Sequence, residues 1–243
     1  MQYRTELHAH TREVSPCADF TAPELAEIYL RAGYRTMVIT NHYTQPIIEE
    51  FEGSWKEKMD WFMSPIRLMK DTVGDKMNVL LGCELRFTEN VNDYLIYGLT
   101  EKFLYEHPEL YNMSLRTFSE LARENGLLIV QAHPFRNGMK IMKPEYLDGY
   151  EIFNGHTTHH GRNFLTEAYA EYYGKIKTSG SDFHHPTSQT AGGILTDAPV
   201  TDMEQLVALL RSGNYSLICE GAASERDGMK THPAKSNGKE TTL

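Results

Sequence analysis

The stretch Glu6-Leu7-His8-Ala9-His10-Thr11 decides how the rest of this chain reads. The apolar-alternating run from Tyr3 to Leu7 predicts a first β-strand, and it ends in two histidines spaced i, i+2. Alternate residues of an extended chain point to one side. His8 and His10 can therefore aim both imidazoles at one point, as ligands of a shared metal ion must. Taken alone, the stretch is equally well two unrelated histidines at a strand end. Its weight comes from what recurs downstream. Thr40-Asn41-His42, Gly82-Cys83-Glu84, Gln131-Ala132-His133-Pro134 and Ser181-Asp182-Phe183-His184 each follow a short apolar run. Together they supply His, Glu and Asp, the side chains that bind borderline divalent metals.

Working outward, Thr21 and Glu24 form a capping box with Pro23 in the first turn of a helix that Gly33 ends. Thr36 to Thr40 is almost wholly apolar, as a strand buried on both faces should be. Pro46 to Thr72 is helical, with Trp55, Met59, Phe62, Ile66 and Met69 on one core-facing stripe. Pro65 is expected to kink or divide it. Asn78 to Leu85 is a third strand, with Asp93 to Gly98 as a hairpin partner. Glu101 to Asn112 connects to a helix capped by Ser114. Strands follow at Leu127 to Val130, Tyr150 to Phe153 and Lys175 to Ser179, with a helix from Arg162 to Tyr173. Thr201 and Glu204 suggest a second capping box opening a helix to Arg211, and Tyr215 to Cys219 a last strand. Residues 1–220 read as one domain, and 221–243, without apolar period, as a mobile tail. The alternation of strand and helix predicts an α/β fold with parallel pairing.

A chain of 243 residues with 40% hydrophobic content can bury one sizeable core. Its net charge of −9 leaves no basic footprint for duplex nucleic acid. A phosphorylated small molecule is still compatible, because bound cations reverse the local potential. The three cysteines, Cys17, Cys83 and Cys219, are odd in number and scattered. That argues against a disulfide framework and suits a reduced cytoplasm. No run approaches the length of a membrane span, so no membrane partner is expected. The oligomeric state is not encoded in any readable motif. No Gly-x-Gly-x-x-Gly follows the first strand and no Walker loop occurs.

His8-x-His10, His42, Glu84, His133 and Asp182-x-His184, in this order, resemble the motifs of the PHP (polymerase and histidinol phosphatase) family of metal-dependent phosphoesterases. The resemblance runs from about Leu7 to Ile194. It implies a distorted (β/α)7 barrel with the metal site at the C-terminal ends of the strands; an open doubly wound sheet is the alternative. It also implies the ligand sets. His8, His10, Glu84 and Asp182 would hold one metal, Glu84 and His133 a second, and His42 and His184 a third with a ligand from the loop after His10. Two departures from the family pattern stand out. Members often place His or Asp five or six residues after the second histidine, where Ser15 and Pro16 stand here. Glu13 is taken as the substitute, with Asp19 as the alternative and Cys17 as a third choice behind both. Members often carry a further histidine after Glu84, where Asp93 or Asn92 is nearest.

So many ligands exceed one tetrahedral site. Two or three divalent ions (zinc, manganese or iron) about 3.5–4 Å apart are the natural reading. The chemistry expected is hydrolysis of a phosphate ester of a small metabolite or nucleotide by metal-activated water. His133, Asp182 or His184 would protonate the leaving group. Arg136, directly after His133-Pro134-Phe135, has a fork that matches a phosphate; Arg12 and Arg162 are weaker candidates. Glu151 and Asn154 would support the ligands from behind or be structural. His156, His159 and His160 are expected on a loop surface or facing substrate. The competing readings are an exonuclease or oligonucleotide phosphodiesterase on the same metals, an amidohydrolase lacking its carboxylated lysine, and a non-catalytic metal-binding module of the same family.

Overall fold

The computed structural model describes residues 2–220, and the tail expected over 221–243 lies outside them. The chain opens with β1 (Tyr3–Ala9), α1 (Ala22–Arg31), β2 (Tyr34–Ile39) and the two-residue β3 (His42–Tyr43). Two helices follow, α2 (Gln45–Glu50) and α3 (Trp55–Val73), then β4 (Asn78–Leu81), β5 (Cys83–Leu85) and β6 (Tyr94–Tyr97). The middle of the chain forms α4 (Glu101–Glu106), α5 (Leu115–Glu124), β7 (Leu128–Gln131), β8 (Gly149–Asn154) and α6 (Asn163–Tyr172). It finishes with β9 (Ile176–Gly180), β10 (Ile194–Thr196), α7 (Met203–Ser212) and β11 (Ser216–Leu217). Among the described residues no helix is long and apolar enough to cross a membrane.

The result is an α/β fold with two mixed sheets, of order β11-β10-β1-β2-β4 and β3-β5-β6-β7-β8-β9. Pairing is parallel only in part: the hairpin expected between the third strand and Asp93 to Gly98 is present, while the parallel pairing that the alternation of elements suggested fails between β6 and β7 and between β1 and β10. β6 runs antiparallel to both β5 and β7. Only a short loop joins β5 to β6, too short for the crossover that a parallel pair needs. β10, unread in the sequence, lies antiparallel against β1 with Tyr3 opposite Thr196. The sheets are continuous with one another. β2 passes into β3 across Thr40-Asn41, and β4 into β5 across Gly82. Gly82 has no room for a side chain, because an added Cβ would lie 2.7 Å from Val38 Cγ1. Across the other seam Ala9 bridges Phe183 in parallel, and the Asp182 N–H donates to the His8 carbonyl at 2.9 Å. These seams bring the ends of β1, β3, β5, β7 and β9 together.

The helices obey their local signals with two corrections. Thr21 and Glu24 do form the capping box of α1. α3, in contrast, runs unbroken through Pro65, and the division falls before it, between Phe51 and Ser54. A proline removes the hydrogen bond to the carbonyl four residues back. Here Ser64 Oγ donates to that carbonyl, Trp61 O, at 2.8 Å, so the helix continues. Met59, Phe62, Ile66 and Met69 are buried, as the stripe requires, and Trp55 donates its indole N–H to Leu104 O at 2.8 Å. α7 is capped by Asp202, which accepts from the Gln205 N–H at 2.8 Å, rather than by a Thr201–Glu204 box.

Candidate metal centre

The site begins with a residue the sequence reading passed over. Glu6 has the same parity as His8 and His10 and is fully buried. Its carboxylate accepts from the backbone N–H groups of Leu7 (3.0 Å), His8 (2.9 Å) and Ser181 (3.0 Å), and from the Tyr29 hydroxyl at 2.9 Å. It thereby ties the end of β1 to the turn after β9. Burial pushes its carboxyl pKa up, although the hydrogen bonds from Ser181, the His8 N–H and Tyr29 oppose the shift. A buried acid amid apolar positions, in register with the histidine pair, was the signal for it.

Past Glu6, four side chains converge. His8 Nε2 lies 3.0 Å from His10 Nε2, 3.4 Å from Glu84 Oε1 and 3.5 Å from Asp182 Oδ1. His10 Nε2 lies 3.5 Å from Glu84 Oε2 and 3.4 Å from Asp182 Oδ1. Ligands about 2.0–2.1 Å from a tetrahedral ion stand roughly 3.3 Å apart. The observed spacing of these nitrogens and oxygens matches that of a coordination shell. The donor set therefore fits a divalent cation. His8 is oriented from behind by Glu151, whose Oε1 is 2.7 Å from His8 Nδ1, leaving Nε2 to face the centre. The other Glu151 oxygen accepts from the His133 N–H at 3.0 Å and from Asn154 Nδ2 at 2.9 Å, and Asn154 also reaches Asp182 Oδ2 at 3.1 Å.

Glu84 joins three groups. His133 Nε2 lies 3.0 Å from its Oε1, and His42 Nδ1 lies 2.7 Å from its Oε2. Asp93 completes a candidate set with Glu84 and His133, but its Oδ2 is 3.9 Å from His133 Nε2, and both its oxygens are forked by Arg86 at 2.7 Å. On the other flank, His10, His42 and His184 form a cluster close enough to share an ion. His42 Nε2 sits 3.2 Å from Cys17 Sγ. His133 and Asp182 both adopt left-handed backbone, φ 30° and 48°. For non-glycine residues such strain costs of the order of 1–3 kcal/mol and persists where the surroundings impose it.

The charges follow this packing. Burial disfavours ionisation of Glu84, yet His8 and His42 hold its pKa well below the carboxylate range. Asp182 is held low in the same way against burial, by His8, His10 and His184. Burial works against protonation of His42 and His184, but Glu84 beside the first and Asp182 beside the second push each up to about 10. Burial likewise opposes the Cys17 thiolate, and hydrogen bonds to His184 and His42 outweigh it, bringing the thiol down to about 6.

The structure thus brings His8, His10, His42, Glu84, His133, Asp182 and His184 together. Arg136 joins them, with its guanidinium 3.6 Å from Asp182 Oδ2 and half-buried. Glu13 does not. Its carboxylate caps α1, accepting from the Ala22 N–H at 2.8 Å. Arg162 is spent on Phe135 O (2.6 Å) and Asn137 Oδ1 (2.7 Å), and so braces the loop after His133. Of the three histidines expected on a loop surface or facing substrate, His156 is buried within reach of Asp182 and His184, while His159 and His160 are exposed.

No family model matches the chain, and no curated protein matches it. Solved structures do. PsfC from Pseudomonas syringae is 13% identical over 94% of this chain and 96% of its own, with a TM-score of 0.64. EndoQ from Pyrococcus furiosus, a lesion-specific endonuclease, is 15% identical over 98% of this chain and 68% of its own, also at 0.64. A two-domain protein from Bacteroides vulgatus, described as containing a predicted PHP-like metal-dependent phosphoesterase, is 12% identical over 90% of this chain, with a TM-score of 0.62. This chain spans 65% of that protein's length. At such identities the likeness is one of fold: this chain shares the fold of these structures, one of which is described as containing a predicted PHP-like metal-dependent phosphoesterase.

Proposed function

We propose that this protein is a metal-dependent hydrolase of phosphate esters acting on a small phosphorylated molecule. The observation that carries the reading is the convergence of His8, His10, Glu84 and Asp182 at ligand-to-ligand spacing, with Glu84 also in contact with His133 and His42. His8, His10, Glu84 and Asp182 would hold one divalent ion, Glu84 and His133 a second, and His42 and His184 a third. When bound, such ions polarise phosphoryl oxygens and lower the pKa of water towards 7.

The chain's own residues supply the rest. Arg136 faces the cluster with a fork suited to a phosphate. Asp182, held well below the carboxylate range, serves as ligand, and His133 or His184 would protonate the leaving oxygen only where its own ring is not bound to an ion. Glu151 and Asn154 hold the ligands in register. The linked sheets are taken as the distorted (β/α)7 barrel that the sequence resemblance implies, supported by the passage of β2 into β3 and of β4 into β5 and by the Ala9–Phe183 bridge.

The test is phosphate release from an aryl phosphate by zinc- or manganese-loaded protein, with a labelled oligonucleotide assayed in parallel. Turnover of the monoester, with KM raised about 10- to 100-fold in Arg136→Ala, is the expected result. Cleavage of the oligonucleotide alone would favour the nuclease reading, for which the fold likeness to EndoQ is the one specific support. The charge of −9 weighs against it. No turnover of either by fully loaded protein would leave a non-catalytic metal-binding module.

A further inference from the structure

The loop after His10 is where this chain parts from the family pattern. We infer that Cys17 is a thiolate ligand there, completing a cation position with His42 and His184 and suiting it to a borderline-soft ion of the Zn²⁺ class. The inference rests on the metal-centre reading and adds a ligand to it.

Tautomers point the same way in both rings. The Nδ1 of His42 faces Glu84 Oε2 at 2.7 Å, and the Nδ1 of His184 faces Asp182 O at 3.0 Å and Oδ1 at 3.2 Å. Once such a ring has given up one proton to solvent, with the remaining Nδ1–H donating to oxygen, its Nε2 presents a lone pair to an ion. That Nε2 of His42 is 3.2 Å from Cys17 Sγ, and His42 and His184 belong to one candidate ligand set with His10. A nitrogen about 2.0–2.1 Å and a sulfur about 2.3 Å from one tetrahedral ion stand roughly 3.5 Å apart. The turn that carries Cys17 is held by Ser15 N–H to Thr11 O and Ala18 N–H to Ser15 O, both 2.9 Å.

Every other candidate in the loop is committed. Glu13 caps α1. Ser15 Oγ donates to Asn41 Oδ1 at 3.2 Å and accepts from the His42 N–H at 3.0 Å. Asp19 pairs with His185 Nδ1 at 3.0 Å. Thiolate ligands select zinc-class ions over magnesium or manganese, which prefer oxygen. On binding, the thiol proton leaves to solvent and a metal–sulfur bond forms.

The experiment uses the full chain loaded with Co²⁺ for absorption spectra and with Zn²⁺ for X-ray absorption. The expected result is a sulfur-to-cobalt charge-transfer band and a metal–sulfur shell at about 2.3 Å. Cys17→Ser should lose both, together with about one ion per chain, while Cys83 and Cys219 remain. Full loading of the unmodified chain without a sulfur shell, or a band that persists in Cys17→Ser, overturns this inference and leaves the phosphoesterase reading standing. Failure to bind any ion overturns both.

Discussion

At the scale of single residues, the side chains that touch the ligands from behind matter as much as the ligands. Glu151 holds His8 through Nδ1 and the His133 backbone through its other oxygen. Removing such an outer partner costs about 10- to 100-fold in metal affinity or activity. Glu151→Ala is therefore expected to weaken zinc binding by that factor while the fold persists, as a competition titration against a chromophoric chelator would measure. An unchanged affinity would show that His8 needs no such partner. Glu6 and His156 mark what single residues hid from sequence. Glu6 carried a parity signal, but a buried acid at a strand end has no motif of its own. His156 lies in a loop, and its proximity to Asp182 exists only once the strands have been brought together.

At the scale of elements, the strand ends are what place the site. β9 passes so close to β1 that a Cβ on Gly180 would sit 2.3 Å from His8 Cβ and 2.6 Å from Glu151 Oε1. Gly180→Ala should therefore cost about 1–3 kcal/mol of stability through overpacking and lower metal content through displacement of His8. Urea melts and elemental analysis of the same variant would read both. Neither changing would contradict the tight seam. Much of this level was legible. The apolar runs ending in His, Glu or Asp placed the strands, and the capping boxes at Thr21 and Ser54 are real, although only the first was read. β10 was missed because three residues carry no period, and its antiparallel partner β1 is almost two hundred positions away. Pro65 misled because its rescue, Ser64 Oγ on Trp61 O, depends on a side-chain rotamer that no pattern encodes.

At the scale of the whole molecule, the acidic chain brings His8, His10, His42, His133, His156 and His184 together, and protons compete there with cations. Metals bind neutral imidazole. With His42 and His184 raised to about 10 by the buried carboxylates beside them, both rings are protonated in the metal-free protein at neutral pH. Each must lose its proton when an ion enters. A ring of ordinary pKa near 6.5 would stop competing above about pH 7. Here the apparent affinity should keep rising between about pH 7 and pH 9, with protons released on binding. Calorimetric titrations in buffers of different ionisation enthalpy would count those protons. An affinity flat above pH 7 would show that the rings are already neutral.

The central claim is most directly tested by elemental analysis of the purified protein beside Glu84→Ala, with phosphate release measured on the same samples. Glu84 links all three candidate positions, so the expected result is about two or three ions per chain with activity in the unmodified protein, and loss of both in the variant. Less than about one ion per chain after zinc or manganese loading, or full activity in Glu84→Ala, would contradict a metal centre organised around this residue.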